Sequence, residues 1–195
     1  VLANEINTEI VNAINDSGGK AIGLTGNKNN LLSATKLKLE IKDSDSNIEK
    51  LLDIGFVGQP TDVNTNLIKE HINYGDIPVI APLGIDAEGN SYNINADTAA
   101  GFIAGKLKAS KLLLLTDVAG ILDKDKKLIP FLKLEEAITI IKEEFVSGGM
   151  KPKIKTCIDA MHNGVTKTTI LDGRIPHSLV LELFTEHGIG TQIYS

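Results

Sequence analysis

The chain has 195 residues, 42% of them hydrophobic and 4% aromatic, with a formal charge of -5 at neutral pH, a size that suits one well-buried core or two small lobes. Lys and Glu are interspersed without a basic stripe, and no apolar run reaches spanning length, so neither nucleic acid nor a membrane is an expected partner. Cys157 is the only cysteine and His71, His162, His177 and His187 are scattered, which excludes an internal disulfide, leaves no assigned metal ligand and fits a reducing, cytoplasmic setting.

In chain order, Leu2, Ala3, Ile6, Ile10, Val11 and Ile14 recur at three- and four-residue steps and predict an amphipathic helix, ended by Asp16-Ser17-Gly18-Gly19. Residues 21–25 read as a short buried strand, 26–30 as a turn, 36–41 as a half-solvated strand and 43–47 as a loop or hairpin tip. A strand over 54–57 is closed by Gly58-Gln59-Pro60, and Thr61 or Asp62 is the expected cap of a helix reaching Tyr74. Residues 77–83 read as a buried strand carrying two prolines, and 86–90 as a hairpin turn. A helix rich in Ala and Gly is predicted over 96–107. Lys111-Leu112-Leu113-Leu114-Leu115-Thr116 reads as the central strand, an apolar run of the kind parallel sheets bury on both faces. Helices over 134–144 and 153–162, a strand over 168–171, a helix within 175–184 and a strand over 191–194 complete the chain. Strands alternating with helices predict an α/β fold, a mostly parallel sheet with helices on both faces.

Three segments at the expected carboxyl ends of strands carry more polar chemistry than packing asks for, and ligands of open α/β sheets bind at such ends. In Asn93-Ile94-Asn95-Ala96-Asp97, three amide or carboxylate groups at alternate positions converge on one side of an extended segment; helix capping by Asn95 or Asp97 accounts for one of them and leaves two over. Thr116 and Asp117 follow the apolar strand, with Gly120 allowing close backbone approach to a ligand; an ordinary Asp turn is the plainer alternative. Gly148-Gly149-Met150-Lys151-Pro152-Lys153 sets a lysine at a helix start, against the macrodipole's preference, which an anionic ligand would explain; taken alone, a solvated lysine in a chain that has many is the plainer reading. The sequence Gly101-Phe102-Ile103-Ala104-Gly105-Lys106-Leu107 has the wrong glycine spacing for a P-loop and reads as close helix packing.

Together these segments, with Val1-Leu2-Ala3, Gly18-Gly19-Lys20-Ala21-Ile22-Gly23-Leu24 and Gly188-Ile189-Gly190-Thr191, resemble the amino acid kinase family, and within it the arginine-biosynthesis members that phosphorylate N-acetyl-L-glutamate. The resemblance runs from Val1 to Tyr194. It implies a three-layer αβα sandwich with a mainly parallel central sheet, residues 1–97 belonging to an acetylglutamate-binding lobe and 98–195 to an ATP-binding lobe. It implies that Asn93 and Asn95 hold acetylglutamate, that Asp97 positions two catalytic lysines of which Lys153 is one, and that Thr116, Asp117, Gly120, Gly149 and Met150 bind ATP, with Mg2+ carried by the nucleotide. It further implies an L-arginine effector site at Glu182 and Gly188, a homo-oligomer (dimer or hexamer), and the PII signalling protein as a partner of some members.

The family's Lys-Gly-Gly loop, second Gly-rich turn and other lysine would all lie upstream of Val1. The chain is therefore expected to be truncated at its amino-terminal side and inactive alone. Another carboxylate or carbamate kinase of the same family, and a non-catalytic binding or regulatory module that keeps the fold, are the alternatives.

Overall fold

The computed structural model describes residues 1–42, 49–146, 148–186 and 188–195, with backbone alone at 39–42 and 49–54; the expected tip over 43–47 lies outside the described residues. The chain divides into two compact units, Val1–Ala99 and Ala100–Ser195.

The first unit opens with a π-helical turn, Leu2–Ile6, that runs into helix α1, Asn7–Asp16. The predicted apolar stripe is only partly the buried one: Leu2, Ile6 and Ile10 are exposed. The face toward the sheet passes instead through Asn7, Val11 and Ile14, with the Val11 and Ile14 side chains against Gly23 and Gly19. Asn7 is 6% exposed, and its Nδ2 donates to the carbonyl of Val79 at 2.8 Å, so a polar side chain is tolerated there because a backbone acceptor satisfies it. Strand β1, Ala21–Thr25, pairs in parallel with β4, Ile77–Ala81. Asp76 ties the two ends of this pair together. Its carboxylate takes Lys20 Nζ at 2.7 Å and His71 Nδ1 at 3.0 Å, and hydrogen bonding first from Lys20 and then from His71 holds its pKa below the usual carboxylate value.

Between β1 and β4 the chain builds β2, Leu32–Lys42, β3, Glu49–Val63, and helix α2, Thr65–Asn73. β3 continues through the Gly58-Gln59-Pro60 that the sequence suggested would end it. Pro60 sits opposite Ala34 where the β2–β3 register shifts, the kind of bulge at which a residue lacking N–H is accommodated. The cap of α2 is therefore neither Thr61 nor Asp62 but Asn64, whose side chain accepts from Leu67 N at 3.2 Å. β5, Leu83–Ile85, and β6, Ser91–Asn93, then close a four-stranded barrel in the order β2-β3-β6-β5. Its interior is so narrow that a Cβ on Gly84 would lie 2.5 Å from Ala34 Cβ and one on Gly58 would lie 2.6 Å from Tyr92 Cβ. Glycine is required at both positions.

Helix α3, Ala96–Leu107, begins in the first unit and continues into the second. The glycines of its P-loop-like segment serve packing, since a Cβ on Gly101 would be 2.5 Å from Thr156 Cγ2 and one on Gly105 would be 2.8 Å from Asn163 Cβ. The second unit's sheet has the order β7-β9-β10-β8, built from β7, Lys111–Thr116, β8, Phe131–Lys133, β9, Lys167–Asp172, and β10, Thr191–Tyr194. β7 and β9 are parallel, as are β10 and β8, whereas β9 and β10 run antiparallel. The Leu-rich β7 is the edge of this sheet among the described residues. The most buried strand is β9, in which residues 168–172 are all buried.

Helix α5, Met150–His162, packs on β7 and β9, and α4, Leu134–Ile140, on β8 and β10. α5 starts one turn earlier than expected, because Pro152 in the first turn costs no intrahelical hydrogen bond. α4 ends four residues earlier, in a run of turns. A last helix, α6, Ser178–Phe184, precedes β10. Ile154, Cys157 and Ile158 of α5 meet Leu112, Leu114, Ile170 and Ile193 in one core.

Candidate functional site

In the first unit, Tyr92 and Ile94 are buried and the alternate residues Asn93 and Asn95 are exposed, so the two amides do share a side of an extended segment up to the start of α3. Asn95 also caps that helix. Its Oδ1 accepts from Thr98 N at 3.1 Å and from Thr98 Oγ1 at 3.3 Å, which leaves the side-chain amide N–H groups as its means of meeting a ligand. Asp97 lies in the first turn of α3, where a carboxylate interacts favourably with the helix dipole. Asn93 ends β6 and stands in register with Val57 of β3 on one side and Leu83 of β5 on the other. That pairing flanks the amide with two apolar residues, Val57 and Leu83, that sequence patterning did not single out. Only the closure of the barrel brings them together.

The β5–β6 hairpin that presents Asn93 is held by Asp86. Its Oδ1 accepts from Glu88 N at 3.0 Å and Asn90 N at 2.8 Å, and its Oδ2 from Asn90 Nδ2 at 3.0 Å and Tyr92 OH at 2.7 Å. Hydrogen bonding led by the Asn90 side chain, with Tyr92 and the backbone adding to it against a smaller effect of burial, lowers the Asp86 pKa from 3.8 to about 2. A folded-state pKa below the unfolded one stabilises the fold fully above the unfolded value, and the contribution is lost as pH falls through the folded value. The hairpin's acid sensitivity is therefore expected between about pH 4 and pH 2. Circular-dichroism melts across that range should show a smaller loss of Tm for Asp86→Asn than for the wild type; parallel losses would remove Asp86 as a source.

In the second unit, Thr116 ends β7 and its Oγ1 donates to Asp117 Oδ1 at 3.2 Å. Gly120, at φ +149°, is buried, and a Cβ there would be 2.6 Å from Thr191 Oγ1 and 2.8 Å from Leu128 Cδ1. The close approach it permits is to the protein's own chain, where Thr191 Oγ1 accepts from Ile121 N at 2.8 Å. Gly149 is the exposed residue before α5, Met150 is the first residue of that helix and packs on the core, and Lys153 stands half-buried at its fourth position.

Glu182 of α6 pins the segment that leads into β10, its Oε2 accepting from Ile189 N at 2.9 Å and Gly190 N at 3.4 Å. Gly188, at φ +58°, lies against the same carboxylate, so a Cβ there would be 2.5 Å from Oε2. Glu182 and Gly188, paired from the sequence as an effector site, are thus in contact. Sequence reasoning passed over Asp172 and Arg174. Arg174 donates from N, Nε and Nη2 to Asp172 at 2.9, 3.0 and 2.8 Å, and hydrogen bonding led by its side chain lowers the Asp172 pKa to about 2. An Asp-Gly-Arg run that starts on the last residue of a strand is the signal that would have found it.

Among the described residues, no three His, Cys, Asp or Glu side chains gather into a metal site, and no helix is long and apolar enough to cross a membrane.

Residues 1–172 match the amino acid kinase family. Over 194 residues, all of this chain, it is 53% identical to the acetylglutamate kinase of Afipia carboxidovorans, covering 66% of that protein. It is 54% identical over 193 residues to the acetylglutamate kinase of Rhodospirillum centenum, covering 99% of this chain and 63% of that one. The chain thus spans a little under two thirds of the length of the curated relatives it matches. Among solved structures it is similar to N-acetylglutamate synthase from Neisseria gonorrhoeae complexed with coenzyme A and N-acetyl-glutamate, with TM-score 0.83 and 27% identity over 99% of this chain and 42% of that one. Carbamate kinase from Giardia lamblia bound to AMP-PNP shares the fold, at TM-score 0.63 and 16% identity over 98% of this chain and 71% of that one.

Proposed function

This chain belongs to the amino acid kinase family, and from that premise we propose that the protein transfers the γ-phosphoryl group of ATP to the side-chain carboxylate of N-acetyl-L-glutamate, an early step of arginine biosynthesis. The observation that carries this reading is the 53% identity, sustained over the whole chain, with an acetylglutamate kinase.

The chemistry asked of these residues is positioning and charge neutralisation. A substrate carboxylate oxygen bonds to the γ-phosphorus as the bridging oxygen leaves with ADP, and two anions must be brought together for that. Asn93 and Asn95 hold the substrate by their amide groups, with Val57 and Leu83 as apolar neighbours of Asn93. Lys153, helped by the positive end of the α5 dipole, neutralises charge on the transferring phosphoryl group. Asp97 orients the lysine cations. Thr116 and Asp117 bind the nucleotide, Gly149 and Met150 lie beside it, and Gly120 keeps that loop close to β10. Mg2+ carried by the nucleotide supplies further neutralisation. A carboxylate nucleophile is already deprotonated, so no general base is required.

The same reading extends to feedback inhibition by L-arginine. Its guanidinium is a five-donor fork suited to the Glu182 carboxylate, and it would compete with the Ile189 and Gly190 N–H groups for Oε2. The exposed Leu2, Ile6 and Ile10 of the first helix support self-association.

Hydroxylamine trapping of the acyl phosphate, with the intact protein offered acetylglutamate, glutamate, aspartate and carbamate, tests the assignment. Acetylglutamate is expected to be turned over best. Faster turnover of carbamate, or none of any acceptor, would overturn it. Inhibition by arginine should be lost in Glu182→Gln with turnover retained; undiminished inhibition of that variant would place the effector elsewhere.

A further inference from the structure

A second polar arrangement stands where β7 and β9 leave their sheet. The strands are parallel and in register to their ends, Thr116 opposite Asp172, and Gly173 N donates to the Thr116 carbonyl at 2.8 Å. Asp117 and Arg174 therefore follow from neighbouring strands at the same end. Asp172, with a side chain 12% exposed, grips Arg174 through the backbone N, Nε and Nη2. The Arg174 side chain is itself 68% exposed. Of the five N–H donors of a guanidinium this fork uses two, so three are left for another partner. Arg174's pKa is raised first by its hydrogen bonds to Asp172, and the charge of Asp117 adds to the effect. Asp117 is therefore near, although among the described residues it makes no direct ion pair with Arg174.

A donor-rich guanidinium with a carboxylate near it, at the ends of neighbouring parallel strands, selects for a group that accepts from one and donates to the other. An alcohol hydroxyl does both, and adjacent hydroxyls do so together. A phosphate suits this strand end less well, because two carboxylates, Asp117 and Asp172, outnumber the single cation Arg174. We propose that Arg174, held in place by Asp172, joins Asp117 in binding the ribose hydroxyls of the nucleoside triphosphate. This rests on the reading of Thr116 and Asp117 as the nucleotide loop. Arg174 is a binding residue in this scheme, and Asp172 is a positioning residue.

The test compares ATP with 2′,3′-dideoxy-ATP by calorimetric titration of the intact protein. The wild type is expected to prefer ATP by roughly 10-fold or more, the discrimination hydrogen bonds to charged groups provide. Arg174→Lys, which keeps a cation against Asp172 but loses the fork, should lose most of that preference, with dideoxy-ATP bound nearly as in the wild type. If its Tm falls, the double variant Asp172→Asn/Arg174→Gln, which leaves no buried unpaired carboxylate, serves with the same readout. Equal weakening of both nucleotides, or an intact preference for ATP, overturns the proposal. Asp117→Asn separates the two levels of the argument. ATP binding indifferent to that change sinks the nucleotide-loop reading itself, whereas a ribose preference lost in Asp117→Asn and kept in Arg174→Lys sinks only the role of Arg174.

Discussion

Replacing Lys153 with Ala is expected to lower kcat of the intact protein by roughly 10²–10³-fold, the usual cost of removing one preorganised donor from a developing anion. Lys153 sits at the fourth position of α5, at the helix end whose unpaired N–H groups already favour an anion. Because charge accumulates on the phosphoryl oxygens during transfer, the loss should fall on kcat more than on KM. Lys153 is only half-buried and is absent from the core around Ile154 and Cys157, so Tm should change little. Steady-state kinetics beside a thermal melt would decide it, and a kcat close to that of the wild type would remove the lysine from the transfer step.

The largest stability effect is expected at Ile170, on the innermost strand of the second unit. Its side chain is 0% exposed and belongs to the core formed with α5 and β10. Truncation to Ala there should cost about 2–5 kcal/mol, from lost transfer free energy together with the cavity left behind. A typical domain has only about 5–15 kcal/mol of stability in total, so the urea midpoint should fall sharply. Leu115→Ala provides the contrast. Leu115 lies on β7 with 46% of its surface exposed, and its truncation should stay within roughly 1 kcal/mol. Equal midpoints for the two variants would contradict the order of strands in this sheet.

That contrast also marks how far local pattern carries. β1, α3, β7 and β10 have the bounds expected of them because turn residues close each one and their periodicity is unambiguous. The rank of β7 in its sheet was misjudged, since four leucines in a row state that a strand is greasy and say nothing about its neighbours. β9 is more deeply buried although it contains Thr168 and Thr169, whose small β-branched side chains fit a pleated interior. β8, three residues long and beginning beside Pro130, has strand character, among the described residues, through pairing with β10. The early end assigned to β3 followed from treating Pro60 as a stop, which a bulge circumvents. At the site, the alternation of Asn93 and Asn95 was legible because it is local. The apolar neighbours Val57 and Leu83 and the Asp172–Arg174 fork were not, because strand register or a turn after a strand creates them.

The position of β10 between β9 and β8 bears on how the protein is made. Among the described residues β8 pairs with β10 alone, and their partnered residues, Phe131 and Gln192, are about 60 residues apart in the chain. At a ribosomal rate of roughly 5–20 residues per second, β8 waits several seconds for its partner. During that interval the backbone edges of β8 and β9, and the apolar surface that Ile193 later covers, are open to nascent neighbours and chaperones. Substitutions that slow the docking of residues 191–194 should therefore reduce the yield of soluble protein in cells more than their effect on equilibrium stability would suggest.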